Sequence, residues 1–158
     1  MEFESEIPFE TKEGNKYVLR FSSFNEDAVP IQSPIVELNL IPLQLSSQFN
    51  SFHTFNYIVK EITNYLKDKP DVIVYYYCDN KELFWRTNRP AIPYQEFRSN
   101  LFTAMFMRSN PDDLLLRSFI IKDVENGDHY VSLLHRQHHL DQIQVLEDLI
   151  KDFHKSDS

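Results

Sequence analysis

Residues 72–78 read Val-Ile-Val-Tyr-Tyr-Tyr-Cys, an unbroken apolar run of β-branched and aromatic side chains. Side chains alternate faces along a strand. A strand with no polar alternation therefore has no face to turn to water, and it belongs in the middle of a sheet, covered on both sides. The rest of the fold must be arranged around Val72–Cys78.

The flanking segments alternate. Phe3, Ile7 and Phe9 are interleaved with Glu2, Glu4, Glu6 and Glu10, the period-two pattern of a half-buried strand. Glu13-Gly14-Asn15 is a turn, and Tyr17–Phe24 is the return strand. Residues 25–34 hold Pro30 and Pro34 and read as a loop; Ile35–Ile41 alternates again and is predicted to stop at Pro42. From Ser51 to Lys67 the period becomes helical, with Phe55, Ile58, Val59, Ile62, Tyr65 and Leu66 on one face, Ser51 at the N-cap and Pro70 past the end. Residues 79–93 are polar, with Pro90 and Pro93. Tyr94–Met107 carries Phe97, Leu101, Ala104 and Met105 at helical spacing, ended by Asn110-Pro111-Asp112. Leu114–Lys122 and His129–Arg136 flank Asn126-Gly127, a tight-hairpin signal because both central residues take positive φ. Leu140, Ile143, Leu146, Leu149, Ile150 and Phe153 mark a C-terminal amphipathic helix.

The order β-β-β-α-β-α-β-β-α predicts an α+β fold. Its expected form is a mostly antiparallel sheet of about six strands with three helices on one face, spanning residues 1–155 as one domain, with 156–158 as a frayed tail. At 158 residues the chain is long enough to bury a core without staples. Two glycines exclude a glycine-rich nucleotide loop, and one cysteine excludes a disulfide framework. The acidic N-terminus is unlike a secretory leader, no apolar run approaches a membrane span, and the lone thiol suits the cytoplasm.

The tract Tyr75-Tyr76-Tyr77-Cys78-Asp79-Asn80, followed by Arg86 or Arg89 and then an aromatic helix, resembles a family of short uncharacterised Bacteroidota proteins. There, two N-terminal strands and a helix precede a strand ending in Cys-Asp, an Arg and a Phe-rich helix. The resemblance could span residues 5–150. This chain lacks the glycine expected after Cys78-Asp79 and places Trp85 early. The family carries no established activity, so the resemblance implies a fold and no function.

Net charge is −8, unevenly spread: −6 over residues 1–80, +3 over 81–122 and −5 over 123–158. Five of the seven arginines (Arg86, Arg89, Arg98, Arg108, Arg117) lie in the middle third. An acidic chain repels nucleic acid and anionic lipid by its mean field and attracts basic partners. Phe84, Trp85, Arg86 and Arg89 combine the residue types enriched in binding hot spots and in RNA-stacking platforms. Their plainer role is a loop packing its aromatics inward. Glu2, Glu4 and Glu6 would keep an edge strand from pairing, or dock a basic partner.

His129, His135, His138 and His139 match no zinc spacing: His129 and His135 share a strand face about 20 Å apart, and neighbours 138 and 139 diverge in regular structure. Cys78 reads as a packed thiol that would need a nearby cation to become a nucleophile. No catalytic triad, paired-carboxylate motif, metal site or cofactor site is legible, so catalytic residues, metal and cofactor are all expected to be none. The leading expectation is a non-enzymatic acidic interaction protein, of the antitoxin or immunity type, that binds a basic protein through Trp85, Arg86, Arg89, Glu2, Glu4 and Glu6. The alternative is an RNA- or phosphate-binding domain using the arginine-rich middle third. If residues 84–89 form a binding loop, Trp85→Ala, Arg86→Ala and Arg89→Ala should each keep the melting temperature and weaken partner binding by roughly 2 kcal/mol. Lost stability with intact binding would instead make the loop a core plug.

Overall fold

A computed structural model describes residues 4–23, 31–48, 51–78, 94–109, 113–125 and 127–156. The strands are β1 (Ser5–Glu10), β2 (Lys16–Ser23), β3 (Ile35–Gln44), β4 (Ile73–Cys78), β5 (Leu115–Ile121) and β6 (His129–His135). The helices are α1 (Phe52–Leu66), α2 (Tyr94–Ser109) and α3 (Leu140–Ser156), the last entered through a 3-10 turn at Gln137–His139. Element order matches the expected β-β-β-α-β-α-β-β-α, and the fold is α+β. The six strands form one sheet, β1-β2-β3-β4-β6-β5, antiparallel at every junction except β3/β4. That parallel pair needs a crossover, and α1 supplies it.

β4 lies inside the sheet, between β3 and β6. Val74 and Tyr76 face a core shared with α1 and α2, while Ile73 and Tyr75 face a second core shared with α3. The expectation of helices on one face is therefore corrected: α1 and α2 cover one side, α3 the other. The physical reason is β4 itself, because a single-sided helix layer would leave Ile73 and Tyr75 in water.

In α1, Phe55, Ile58, Val59, Ile62, Tyr65 and Leu66 are all buried. Tyr65 stacks flat on Phe21 of β2, with ring centroids 3.9 Å apart and planes 8° off parallel. Ser51 stands at the N-cap, but its side chain makes no capping bond. In α2 the buried stripe is Leu101, Phe102, Met105 and Phe106, whereas Ala104 is exposed. In α3, Ile143, Leu146 and Ile150 are buried, and Leu140 sits outside that stripe.

Two turn expectations are corrected. β3 does not stop at Pro42 but continues to Gln44. Pairing slips there, Lys16 opposite Gln44 and Tyr17 opposite Pro42, and a bulge tolerates a residue with no N–H to donate. Asn126-Gly127 is not the centre of a two-residue hairpin, since Ile121 faces His129 across a seven-residue loop. Gly127 does take positive φ, at 89°, and its N–H bonds the Asp123 carbonyl at 3.0 Å. The tail boundary also moves: Ser156 is the last residue of α3, and residues 157–158 lie outside those described.

Val74 is completely buried between α1, α2 and its sheet neighbours. Val74→Asp would place an unpaired carboxylate there and should lower unfolding free energy by about 3–5 kcal/mol, read from urea denaturation. An unchanged midpoint would remove β4 from the centre of the core.

Candidate functional site

Position in the sheet decides what each charged group can reach. β1 is an edge strand; Glu6, Pro8 and Glu10 are exposed on it, and Glu4 is exposed just before it. Glu6 lies 3.7 Å from Arg20 and Glu10 lies 3.9 Å from Lys16, both on β2. Pairs this exposed contribute little to stability, and their effect is to leave β1 studded with charge and proline. Glu2, Trp85, Arg86 and Arg89, the remaining predicted binding residues, lie outside the described residues, as does the side chain of Cys78.

The helical face opposite Ile143, Leu146 and Ile150 points to solvent. It carries Asp141, Gln144, Asp148 and Asp152, together with Leu140 and Val145, which are 50% and 43% exposed. In the sequence this acidic, partly apolar stripe is marked only indirectly, as the complement of the buried one. The same 3.6-residue period that places Ile143 and Ile150 inward places Asp141 and Asp148 outward.

Among the described residues, Arg117 and Lys122 of the middle third are engaged within the chain. Arg117 Nε donates to Glu147 Oε1 at 2.8 Å, and Lys151 Nζ donates to Glu147 Oε2 at 2.8 Å. Burial opposes the Glu147 charge, but these two bonds outweigh it and hold the carboxyl below its ordinary range. Lys122 pairs with Asp128 at 3.1 Å, whereas Arg108 is exposed in the last turn of α2.

The histidines separate into two centres. Tyr77 of β4 donates its hydroxyl to His129 Nδ1 at 2.7 Å, and His129 Nε2 donates to Asp123 Oδ2 at 2.9 Å. This line of phenol, imidazole and carboxylate fastens the β5–β6 loop to the end of β4. Asp123 is also tied locally, its backbone N–H to Asp128 and its carboxylate to the Glu125 N–H. Neither Tyr77 nor Asp123 was singled out in the sequence, since only the sheet register brings residues 52 apart together.

The second centre is buried. Arg136 Nη2 donates to the Leu66 carbonyl at 2.6 Å and Nη1 to the Lys69 carbonyl at 2.9 Å, so a guanidinium closes the carbonyl end of α1. The Arg136 N–H donates to His139 Nδ1 at 2.9 Å, and His139 Nε2 donates to the Asp71 carbonyl at 3.1 Å. His135 Nδ1 donates to the Arg136 carbonyl at 2.8 Å. The expectation that His138 and His139 diverge is corrected: the 3-10 turn brings their ring centroids to 4.1 Å, and both reach Asp71. Among the described residues no group of three His, Cys, Asp or Glu side chains is disposed to hold a metal ion.

No family model, curated protein or solved structure matches this chain.

Burial depresses the pKa of His135 and, with His138 beside it, of His139 below the ordinary 6.5. Both therefore take up a proton less readily in the fold than in the unfolded chain. The unfolded chain then binds more protons below about pH 6.5, so stability should fall as pH drops from 7 toward 5.5. Urea midpoints measured across that window should show the fall, and His135→Gln/His139→Gln should flatten it. Arg136→Ala strips partners from two carbonyls at the α1 end and should cost about 2–3 kcal/mol at pH 7.

Proposed function

We propose that this chain is a non-enzymatic acidic interaction protein, of the antitoxin or immunity type, that docks on a basic partner protein. The observation carrying this reading is the solvent face of α3. Two large apolar side chains, Leu140 and Val145, stand exposed there among Asp141, Asp148 and Asp152. Interfaces combine such apolar anchors, which desolvate on contact, with a charged rim that steers encounter and fixes register.

The net charge of −8 supplies the long-range attraction. Docking a helix face over a basic active site would occlude it without chemistry from this chain. The helix is suited to the task because its opposite side is anchored in the core through Ile143, Leu146 and Ile150, so the face is presented on a rigid element. No helix among the described residues is long and apolar enough to cross a membrane.

The test is capture from native lysate with wild-type protein and an Asp141→Lys/Asp148→Lys variant. Wild type should retain a basic protein in a salt-sensitive manner, and the variant should lose it by tenfold or more while keeping the far-UV spectrum and a cooperative melting transition. Equal capture by both proteins, or recovery of nucleic acid in place of protein, would overturn the reading.

A further inference from the structure

The two edges of the sheet are built differently. β1 carries Glu6, Pro8 and Glu10, with Glu4 just before it, the charges and proline that keep a strand edge from recruiting another chain. β5, Leu-Leu-Arg-Ser-Phe-Ile-Ile, has no proline, no acid and no lysine. Its one charge, Arg117, is matched within the chain by Glu147 at 2.8 Å. Among the described residues no strand pairs with its outer side. Leu115 and Ile120 are nonetheless 38% and 43% exposed.

The face beside this edge is open as well. A groove of about 640 Å³ runs between α2 and β5, lined in part by Asn100, Thr103, Ser118 and Ile120. It opens because α2 packs over β4 and β6 and stops short of the edge strand. Glu96, Asn100, Thr103 and Met107 are spaced to form one stripe of α2 along it, and Met107 is 67% exposed. Glu96 is fixed at one end, accepting from the Tyr130 hydroxyl at 2.8 Å.

We infer that β5 pairs antiparallel with β5 of a second copy of this chain, about a two-fold axis at Ser118, joining the two sheets into one. Self-pairing follows from the strand's own pattern. With Ser118 facing its mate, Leu116 meets the partner's Ile120, Leu115 meets the partner's Ile121 and Arg117 meets the partner's Phe119. All seven residues are paired, apolar groups meet apolar groups at both ends, and no like charges oppose. Such an isologous contact closes on itself.

Electrostatics permits it although each copy is strongly acidic. The acidic edge β1 lies five strand spacings from β5, about 24 Å, well beyond the screening length of about 8 Å in physiological salt. On the α3 side, Arg117 and Lys151 flank Glu147 next to β5, so the flank near the axis is not acidic. A heterologous extended peptide could add to the same edge, and the experiment separates that case from self-pairing.

The experiment uses the full chain. Sedimentation equilibrium of wild type over micromolar concentrations should give twice the chain mass, and Ile120→Lys, which sets a charge against the partner's Leu116, should give the monomer with an unchanged far-UV spectrum. In a Cys78→Ser background, Ser118→Cys should form a covalent dimer on mild oxidation, because position 118 faces its own mate at about 4.5–5.5 Å. Leu116→Cys should not, because its own mate lies about 13 Å away along the strand. A wild-type monomer throughout the range would overturn self-pairing and leave the edge to another protein's strand. A dimer that survives Ile120→Lys and does not cross-link through position 118 would overturn it too, placing the contact elsewhere.

Discussion

A strand that is apolar on both faces dictates how much else must be built. Once Val74 and Tyr76 need one cover and Ile73 and Tyr75 need another, two layers of helix are required, on opposite sides. The parallel β3/β4 pair then follows from carrying the chain over one face in α1, and the antiparallel β4/β6 pair from returning it after the β5–β6 hairpin. β6 is buried on both faces as well, while β1, β2 and β5 carry residues open to water. β4 contributes packing and the Tyr77 hydroxyl at its end.

Local pattern was enough to read the number, type and order of elements, because each depends on periodicity within a short window. Where a partner far along the chain decides the outcome, the pattern fell short. An amphipathic helix announces that it has an apolar face but not which side of a sheet that face meets, so α3 was placed with the other helices. Pro42 looks like a strand terminator until the slip opposite Lys16 and Tyr17 gives its missing donor a harmless place. Asn126-Gly127 has the composition of a tight turn. Yet Asp123 and Asp128 offer backbone and carboxylate acceptors that hold a wider loop, and His129 adds a bond to Asp123 that a two-residue turn has no room for.

The candidate site divides in the same way. Net acidity and the glutamates of β1 were readable from composition and alternation. The acidic face of α3 was readable in principle, being the complement of its buried stripe. The roles of Arg136 and His139 were not, because they are defined by carbonyls of Leu66, Lys69 and Asp71, roughly 70 residues earlier in the chain. A cluster of histidines beside an arginine suggests chemistry in one dimension. In three it is a buried joint that satisfies a helix end and ties the α1–β4 turn to the start of α3.

That distinction between committed and uncommitted polar groups argues for where this protein meets others. Tyr77, His129 and Asp123 hold a loop, Arg136 holds a helix end, and Glu147 holds two cations against the flank of β5; altering any of them disturbs the fold as well as any contact. The outward residues of α3 are in a different position. Asp141, Val145 and Asp148 lie on the side of the helix away from the core, and the helix is anchored by Ile143, Leu146 and Ile150 regardless of what faces water. Among the described residues, several cations are paired elsewhere: Arg20 with Glu6, Lys16 with Glu10, Lys122 with Asp128, and Arg136 with Asp113. The excess negative charge of the chain is therefore presented in part on a rigid surface with no packing duty of its own, which leaves that surface open to be shaped by a partner.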